Sequence, residues 1–152
     1  MPVVGVISDT HSVLRPEVLK IFRNVDLILH AGDIGRPEIL EELKTLAPTI
    51  AVRGNNDHGA WAARIPEFTK VAFGGISIFL IHDIKEMDAR DSAACDVIIS
   101  GHSHKPSLER RDGVLYLNPG SAGPRRFKLP VSVARLTVKQ SDARACLIEL
   151  RT

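Results

Sequence analysis

The chain has 152 residues, with 20 Lys and Arg against 18 Asp and Glu, a net charge of +2 with histidine neutral, and 44% hydrophobic residues. A chain of that length buries roughly 70% of its unfolded surface around one core, so folding needs no metal or disulfide staple. The balance excludes a disordered chain, an acidic tail and a polybasic nucleic-acid module, and Cys95 and Cys146 are too few for a disulfide scaffold.

The first half alternates short apolar runs with helical periodicity. Val3 to Ile7, apolar apart from Gly5, predicts a buried strand. After Ser8-Asp9-Thr10-His11, Pro16 at a first helical position and Val18, Leu19 and Phe22 on one face predict a helix. Asp26 to His30 predicts a second strand, ending in Ala31-Gly32-Asp33. Pro37 then opens a second helix with Ile39, Leu40, Leu43, Leu46 and Ala47 along one stripe. Thr49 to Val52 predicts a third strand, closed by Gly54-Asn55-Asn56-Asp57. Strands alternating with helices of this length predict parallel pairing through right-handed crossovers.

Beyond that point, Phe68 to Phe73 and Ile76 to Ile81 flank Gly74-Gly75 as a hairpin. Ile84 to Ala94 has weak helical character and leads to a strand, Val97 to Ser100, followed by Gly101-His102-Ser103-His104. Leu108 to Arg111 and Val114 to Leu117 form a hairpin around Asp112-Gly113, and Val131 to Val138 and Ala143 to Leu150 read as alternating strands. The front is α/β and the back mostly antiparallel β. No repeat or linker composition divides the chain, so one domain over residues 1–152 is expected. About ten strands are many for one twisted sheet, which predicts two sheets packed face to face with helices outside.

Six histidines are the compositional oddity, and most of them fall with carboxylates where a predicted strand stops. Asp9 and His11 follow the first strand, Asp33 the second, Asn55 and Asp57 the third, His82 the hairpin, and His102 and His104 the strand after it. The carboxyl ends of parallel strands share one sheet edge, so these residues converge on one cleft. Asp9-x-His11 and His102-x-His104 are i, i+2 pairs, and in extended backbone that spacing points both side chains to one side. Imidazole and carboxylate without thiolate suit divalent Mn, Fe, Zn, Ni or Co. Setting Asp57 aside, seven ligands exceed one zinc site and match two ions, with Asp33 able to bridge. Two ions ~3.5–4 Å apart clamp an in-line displacement at phosphorus and supply a hydroxide nucleophile at neutral pH.

Ile7-Ser8-Asp9-Thr10-His11, His30-Ala31-Gly32-Asp33, Gly54-Asn55-Asn56-Asp57 and Gly101-His102-Ser103-His104 resemble the signature blocks of the calcineurin-like metallophosphoesterase superfamily. The short chain and Asn118-Pro119-Gly120-Ser121 are similar to its small bacterial and archaeal YfcE-like phosphodiesterase branch. The resemblance implies a four-layer α-β-β-α sandwich of two packed mixed β-sheets flanked by helices. It implies Asp9, His11 and His104 on one metal, Asn55, His82 and His102 on the other, and Asp33 bridging. Two positions depart from the family pattern. Asn56 stands where many members carry a histidine that helps protonate the leaving group, and Asp83 stands where glycine usually follows the hairpin histidine. Asp83 could instead orient the His82 ring.

The expected function is a metal-dependent phosphodiesterase acting on small phosphodiesters, with two divalent ions, manganese favoured, and with Asp33, Asn55 and His102 as catalytic residues. Asn56, Asp57, His58 and Arg125 are further candidates around the ligands or substrate, with His58 read as a solvated loop residue and Arg125 and Arg126 as surface charge. Trp61 lies near the cleft mouth or covers core. Asn118 is expected to be structural. Ligand histidines must be neutral, so activity should fall as pH drops through roughly 6. The rival readings are a non-catalytic assembly scaffold resembling the retromer subunit of the same fold, and a phosphomonoesterase or nuclease using the same metals. Retention of all seven ligand-competent residues favours an enzyme. Dispersed basic residues argue against an extended nucleic-acid track. The first residues lack the order of a signal peptide and no apolar run reaches the ~20 residues of a membrane span, so a cytoplasmic protein without membrane contact is expected. Exposed sheet edges suggest a homodimer.

Overall fold

The computed structural model describes residues 1–90, 92–126 and 128–151. Its first sheet is built from β1 (Val3–Ile7), β2 (Leu27–His30), β3 (Thr49–Ala51), β9 (Ser132–Lys139) and β10 (Asp142–Glu149), in the order β10-β9-β1-β2-β3. β1, β2 and β3 are parallel, with Ile7 opposite His30 and His30 opposite Ala51, so the three strands end together at one edge. β9 and β10 return from the end of the chain as an antiparallel pair beside β1.

The second sheet holds β4 (Phe68–Phe73), β5 (Ile76–Ile81), β6 (Val97–Ile99), β7 (Ser107–Arg111) and β8 (Val114–Asn118), in the order β4-β5-β6-β8-β7. The expected hairpins are both present, with Phe73 opposite Ile76 and Arg111 opposite Val114. The second half is mostly antiparallel as expected, in the β4–β5, β7–β8 and β9–β10 pairs, while β5, β6 and β8 pair in parallel within it. Their continuous apolar runs suit strands covered on both faces, which parallel pairing through crossovers produces. Each sheet therefore contributes a set of parallel carboxyl ends.

The main core lies between the sheets. Period-two alternation sends Val4, Val6, Leu27 and Leu29 from the first sheet and Ile78, Leu80, Val97, Ile99, Leu115 and Leu117 from the second into it, all buried. Fully burying each such side chain contributes about 1.5–3 kcal/mol. The opposite face of the first sheet carries Ile7 and Ile28 against Val18 and Phe22 near α1 (Pro16–Ile21) and Ile39 and Leu43 of α2 (Pro37–Lys44). Both helices begin at a proline, whose fixed φ and missing N–H suit that position, and carry an acidic residue in the first turn and a lysine in the last. α3 (Ala60–Ala63) is a single turn that periodicity does not reveal, and its Trp61 packs against this same outer cluster, settling it as core cover.

The layer outside the second sheet is thin. Helical character over Ile84 to Ala94 reduces to a 3-10 turn at Ile84–Glu86, and Asp91 lies outside the described residues. Asp83 opens that turn by accepting the Lys85 N–H, and Met87 leaves it in extended backbone. Ile84 and Met87 cover Phe79, Ile81, Cys95 and Ile98. Among the described residues no helix is long and apolar enough to cross a membrane.

Candidate metal centre

The loops that leave the parallel strands are stitched to one another. Asp9 N–H donates to the Gly32 carbonyl, His11 N–H to Asp33 and Ser12 N–H to Ile34, at 2.9–3.0 Å, which zips the loop after β1 onto the loop after β2. Asp57 ties in the loop after β3. Its carboxylate accepts N–H bonds from Gly54 (2.9 Å), Gly35 (3.0 Å) and Ile34 (3.2 Å), so both of its oxygens are taken up in bracing the loops. In the second sheet Gly101 N–H donates to the His82 carbonyl, and the Asn118 side-chain amide donates to the Gly101 carbonyl and to Ser103 Oγ.

This stitching overturns the extended geometry expected for the two i, i+2 pairs. Asp9, His11, Asp33, His102 and His104 all have φ between 44° and 71°, the left-handed region. Interlocking loop hydrogen bonds hold those conformations, and the pairs converge by turning sharply after the strand. Glycine makes the close approach possible. A Cβ on Gly54 would lie 2.2 Å from the Asp33 backbone nitrogen and Oδ1, and one on Gly101 would lie 2.7 Å from Asp9 Oδ2.

Two clusters result, each with donor atoms within 4.8 Å of one another: Asp9, His11 and His104, and Asp33, His82 and His102. In the first, Asp9 Oδ1 lies 3.3 Å from His104 Nε2 and 3.7 Å from His11 Nε2. In the second, His82 Nε2 lies 3.3 Å from Asp33 Oδ2 and 3.0 Å from Asn55 Oδ1, and Asn55 Oδ1 lies 3.2 Å from His102 Nδ1. Asp33 Oδ2 is also 3.7 Å from His11 Nε2, so this one oxygen faces both clusters.

The donor set fits divalent cations on two grounds. Asp9 Oδ1 and His11 Nε2 are buried with no hydrogen-bond partner among the described residues, whereas Asp9 Oδ2 accepts from Ser8 Oγ and from the His102 N–H. Such unpaired buried acceptors are costly unless a cation or proton satisfies them. In addition, His82 Nδ1–H donates to the Ala31 carbonyl at 2.7 Å, which leaves Nε2 as an acceptor facing the Asp33 carboxylate. Acceptor opposite acceptor calls for a positive charge between them.

The titration of these groups carries the same signature. Burial alone would raise the Asp9 carboxyl, but the His104 and His11 rings beside it and the Ser8 hydroxyl override that and hold Asp9 well below the usual carboxylate range. Burial likewise opposes the ionised form of Asp33, and the His82 ring beside it and the Asn56 N–H override that and lower it. Burial opposes charging of His82, yet the neighbouring Asp33 and Asp9 carboxylates override it and raise its pKa above the usual imidazole range.

The other candidates separate. Asp83 Oδ2 lies 3.7 Å from His102 Nε2 and not against His82, whose ring the Ala31 carbonyl orients instead. His58 and Arg125 are exposed and make none of the contacts described around the clusters. Asn56 bonds Asp33, through its backbone N–H to Oδ1 at 2.9 Å and its side-chain amide to Oδ2 at 3.1 Å. The supports that sequence reasoning missed are Ser8, Ser121, whose Oγ donates to the Asp9 carbonyl, and the Ala31 carbonyl. None has a signal in spacing, because a hydroxyl or carbonyl acts through where the loop places it.

Two cavities meet at Asp83 and His102. One, of about 400 Å³, adjoins Asn55 and His82 and is walled by Arg53, Glu67 and Glu86, with Arg53 paired to Glu67 at 3.0 Å. The other, of about 260 Å³, is lined by Lys85, Ser103 and Arg111, whose guanidinium sits 4.0 Å over the Tyr116 ring.

Residues 3–141 match the calcineurin-like phosphoesterase superfamily domain. A probable metallophosphoesterase of Methanothermobacter thermautotrophicus is 37% identical over 154 residues, covering 92% of this chain and 89% of that protein. A phosphodiesterase of Methanocaldococcus jannaschii is 31% identical over 166 residues, covering 96% of this chain and 99% of its own. Among solved structures, Vps29 of Chaetomium thermophilum superposes over 99% of this chain and 97% of its own with a TM-score of 0.79 at 17% identity, a likeness of fold. Polar blocks at the strand ends, two packed sheets, two His and Asp clusters and the match over residues 3–141 thus lead to one placement: the chain belongs to the calcineurin-like phosphoesterase superfamily.

Proposed function

We propose that this chain is a cytoplasmic phosphodiesterase of one domain, residues 1–152, that works with two divalent ions, manganese foremost, on small phosphodiesters. The observation that carries the reading is Asp33 Oδ2, a single carboxylate oxygen facing His11 in one cluster and His82 in the other. In this reading Asp9, His11 and His104 would hold one ion, Asn55, His82 and His102 the other, and Asp33 would serve both. When bound, the ions supply Lewis acidity toward the phosphoryl oxygens and an activated water at neutral pH. The residues of the chain fix the donors: Ser8 and the His102 N–H occupy Asp9 Oδ2, and the Ala31 carbonyl holds His82 with Nε2 turned inward. His102 is exposed at the meeting of the two cavities, where it would face the reacting phosphoryl group.

A diester has two ester arms, and the cleft has two limbs that meet at His102. The larger limb carries Glu67, Asp83 and Glu86 against one arginine already paired, a wall that opposes the dianion of a monoester more than the monoanion of a diester. Asn56 has no proton to give to a departing alkoxide, which favours aryl over alkyl leaving groups. The scaffold reading fits less well, since it assigns no task to the unpaired buried oxygen of Asp9 or to the His82 ring turned toward Asp33.

The test is hydrolysis of a bis-aryl phosphodiester and the matching aryl monoester by chelator-stripped protein, with and without Mn²⁺. Added Mn²⁺ should restore turnover, with kcat/KM higher for the diester. Turnover that Mn²⁺ does not restore, or a preference for the monoester, would count against the reading.

A further inference from the structure

Asp33 has to present one particular oxygen to two clusters, yet its carboxylate turns about a soft, roughly two-fold torsion. Nothing in the Asp33 backbone fixes that turn. The clamp comes from Asn56, whose backbone N–H takes Oδ1 at 2.9 Å and whose side-chain amide takes Oδ2 at 3.1 Å, one donor on each oxygen. Behind Oδ1 stands the Gly54 backbone, close enough that a Cβ there would lie 2.2 Å from that oxygen. Asp57 holds the loop that carries Asn56 against the loop that carries Asp33, by accepting the Gly54, Ile34 and Gly35 N–H groups. Asn56 is exposed, so its amide could bond water instead, and its inward turn is specific to the carboxylate.

We infer that Asn56 is a positioning residue that sets the rotation of the Asp33 carboxylate so that Oδ2 faces His82 and His11 together. The inference rests on the reading of Asp33 as the ligand shared by two ions. It gives the residue at the family's proton-donor position a different task, carried out by a carboxamide that does not titrate at any working pH.

Two variants separate the side chain from the backbone. Asn56→Ala deletes the amide and keeps the N–H on Oδ1; Asn56→Asp keeps the shape but replaces the donor by an acceptor. Chelator-stripped wild type and variants are titrated with Mn²⁺ by calorimetry, and the loaded proteins are examined by electron paramagnetic resonance, with far-ultraviolet circular dichroism confirming the fold. Wild type should bind two ions and give the multiline spectrum of an exchange-coupled pair. Both variants should bind at least one ion about 10- to 100-fold more weakly, the loss typical of removing a group that orients a ligand, and lose the coupled signal while keeping the fold. Two-ion binding and a coupled spectrum in Asn56→Ala equal to wild type would overturn the role of Asn56 and leave the two-ion reading standing. A wild type that binds no pair of ions would overturn both, and that outcome is visible before any variant is compared.

Discussion

Replacing Asp33 by asparagine should lower kcat/KM toward an aryl phosphodiester by about 10³-fold, because the metal contribution to transition-state charge amounts to several kcal/mol and each 1.36 kcal/mol is tenfold. The substitution keeps the volume of the side chain and an acceptor for the Asn56 N–H. What it removes is the anionic oxygen that lies 3.3 Å from His82 Nε2 and 3.7 Å from His11 Nε2. A neutral amide cannot serve as the shared anionic ligand, and its NH₂ group would face the side chain of Asn56. The measurement is steady-state hydrolysis at saturating Mn²⁺ with circular dichroism as the control for folding. A folded variant within threefold of wild type would remove Asp33 from the chemistry.

Acidification should cost the metal-free protein about 3 kcal/mol of stability between pH 7 and pH 4 through a single buried ring. His30 is fully buried at the end of β2, and burial, the leading cause, pushes its pKa down to about 4 from 6.5. Its hydrogen bonds require the neutral form: Nδ1 accepts the Gly32 N–H at 3.1 Å, and Nε2–H donates to Thr10 Oγ1, which passes its own hydrogen to the Ile34 carbonyl. Between pH 6.5 and 4 the unfolded chain holds a proton on this residue that the folded chain does not. Stability therefore rises with pH across that window, is fully present above 6.5, and is lost as pH falls toward 4; the difference between the two pKa values corresponds to about 3 kcal/mol. Asp9 and Asp33, held low, lose their contributions only further into acid, and His82, held high, loses its contribution above pH 6.5. Urea unfolding in chelator at pH 7 and pH 4 isolates the effect. His30→Gln should be less stable at pH 7 and lose about 3 kcal/mol less on acidification; equal losses in both proteins would show that His30 is not the group responsible.

Much of the arrangement was readable because burial and turn chemistry leave marks in sequence. The hairpin of β4 and β5 falls at Phe68–Phe73 and Ile76–Ile81 as predicted, since β-propensity and a two-glycine turn agree there. Asp9, Asp33, Asn55, His82 and His104 could be expected near one another because strands joined by right-handed crossovers end on one edge. Three things stayed hidden for physical reasons. The left-handed backbone at Asp9, His11, His102 and His104 is imposed by hydrogen bonds between loops far apart in sequence, so local spacing suggested extended chain instead. The parallel pairing of β6 with β8 depends on β7 pairing outside β8, a choice of edge that apolar alternation does not encode. The target of Asp83 depends on which histidine ring already has a partner, and the Ala31 carbonyl had taken His82.

The account stands on two ions sharing Asp33. Its most direct test is the number of Mn²⁺ ions retained per chain by chelator-stripped wild-type protein after equilibrium dialysis, counted by elemental analysis. Two ions per chain is the predicted plateau, and a plateau at one or at none would contradict it.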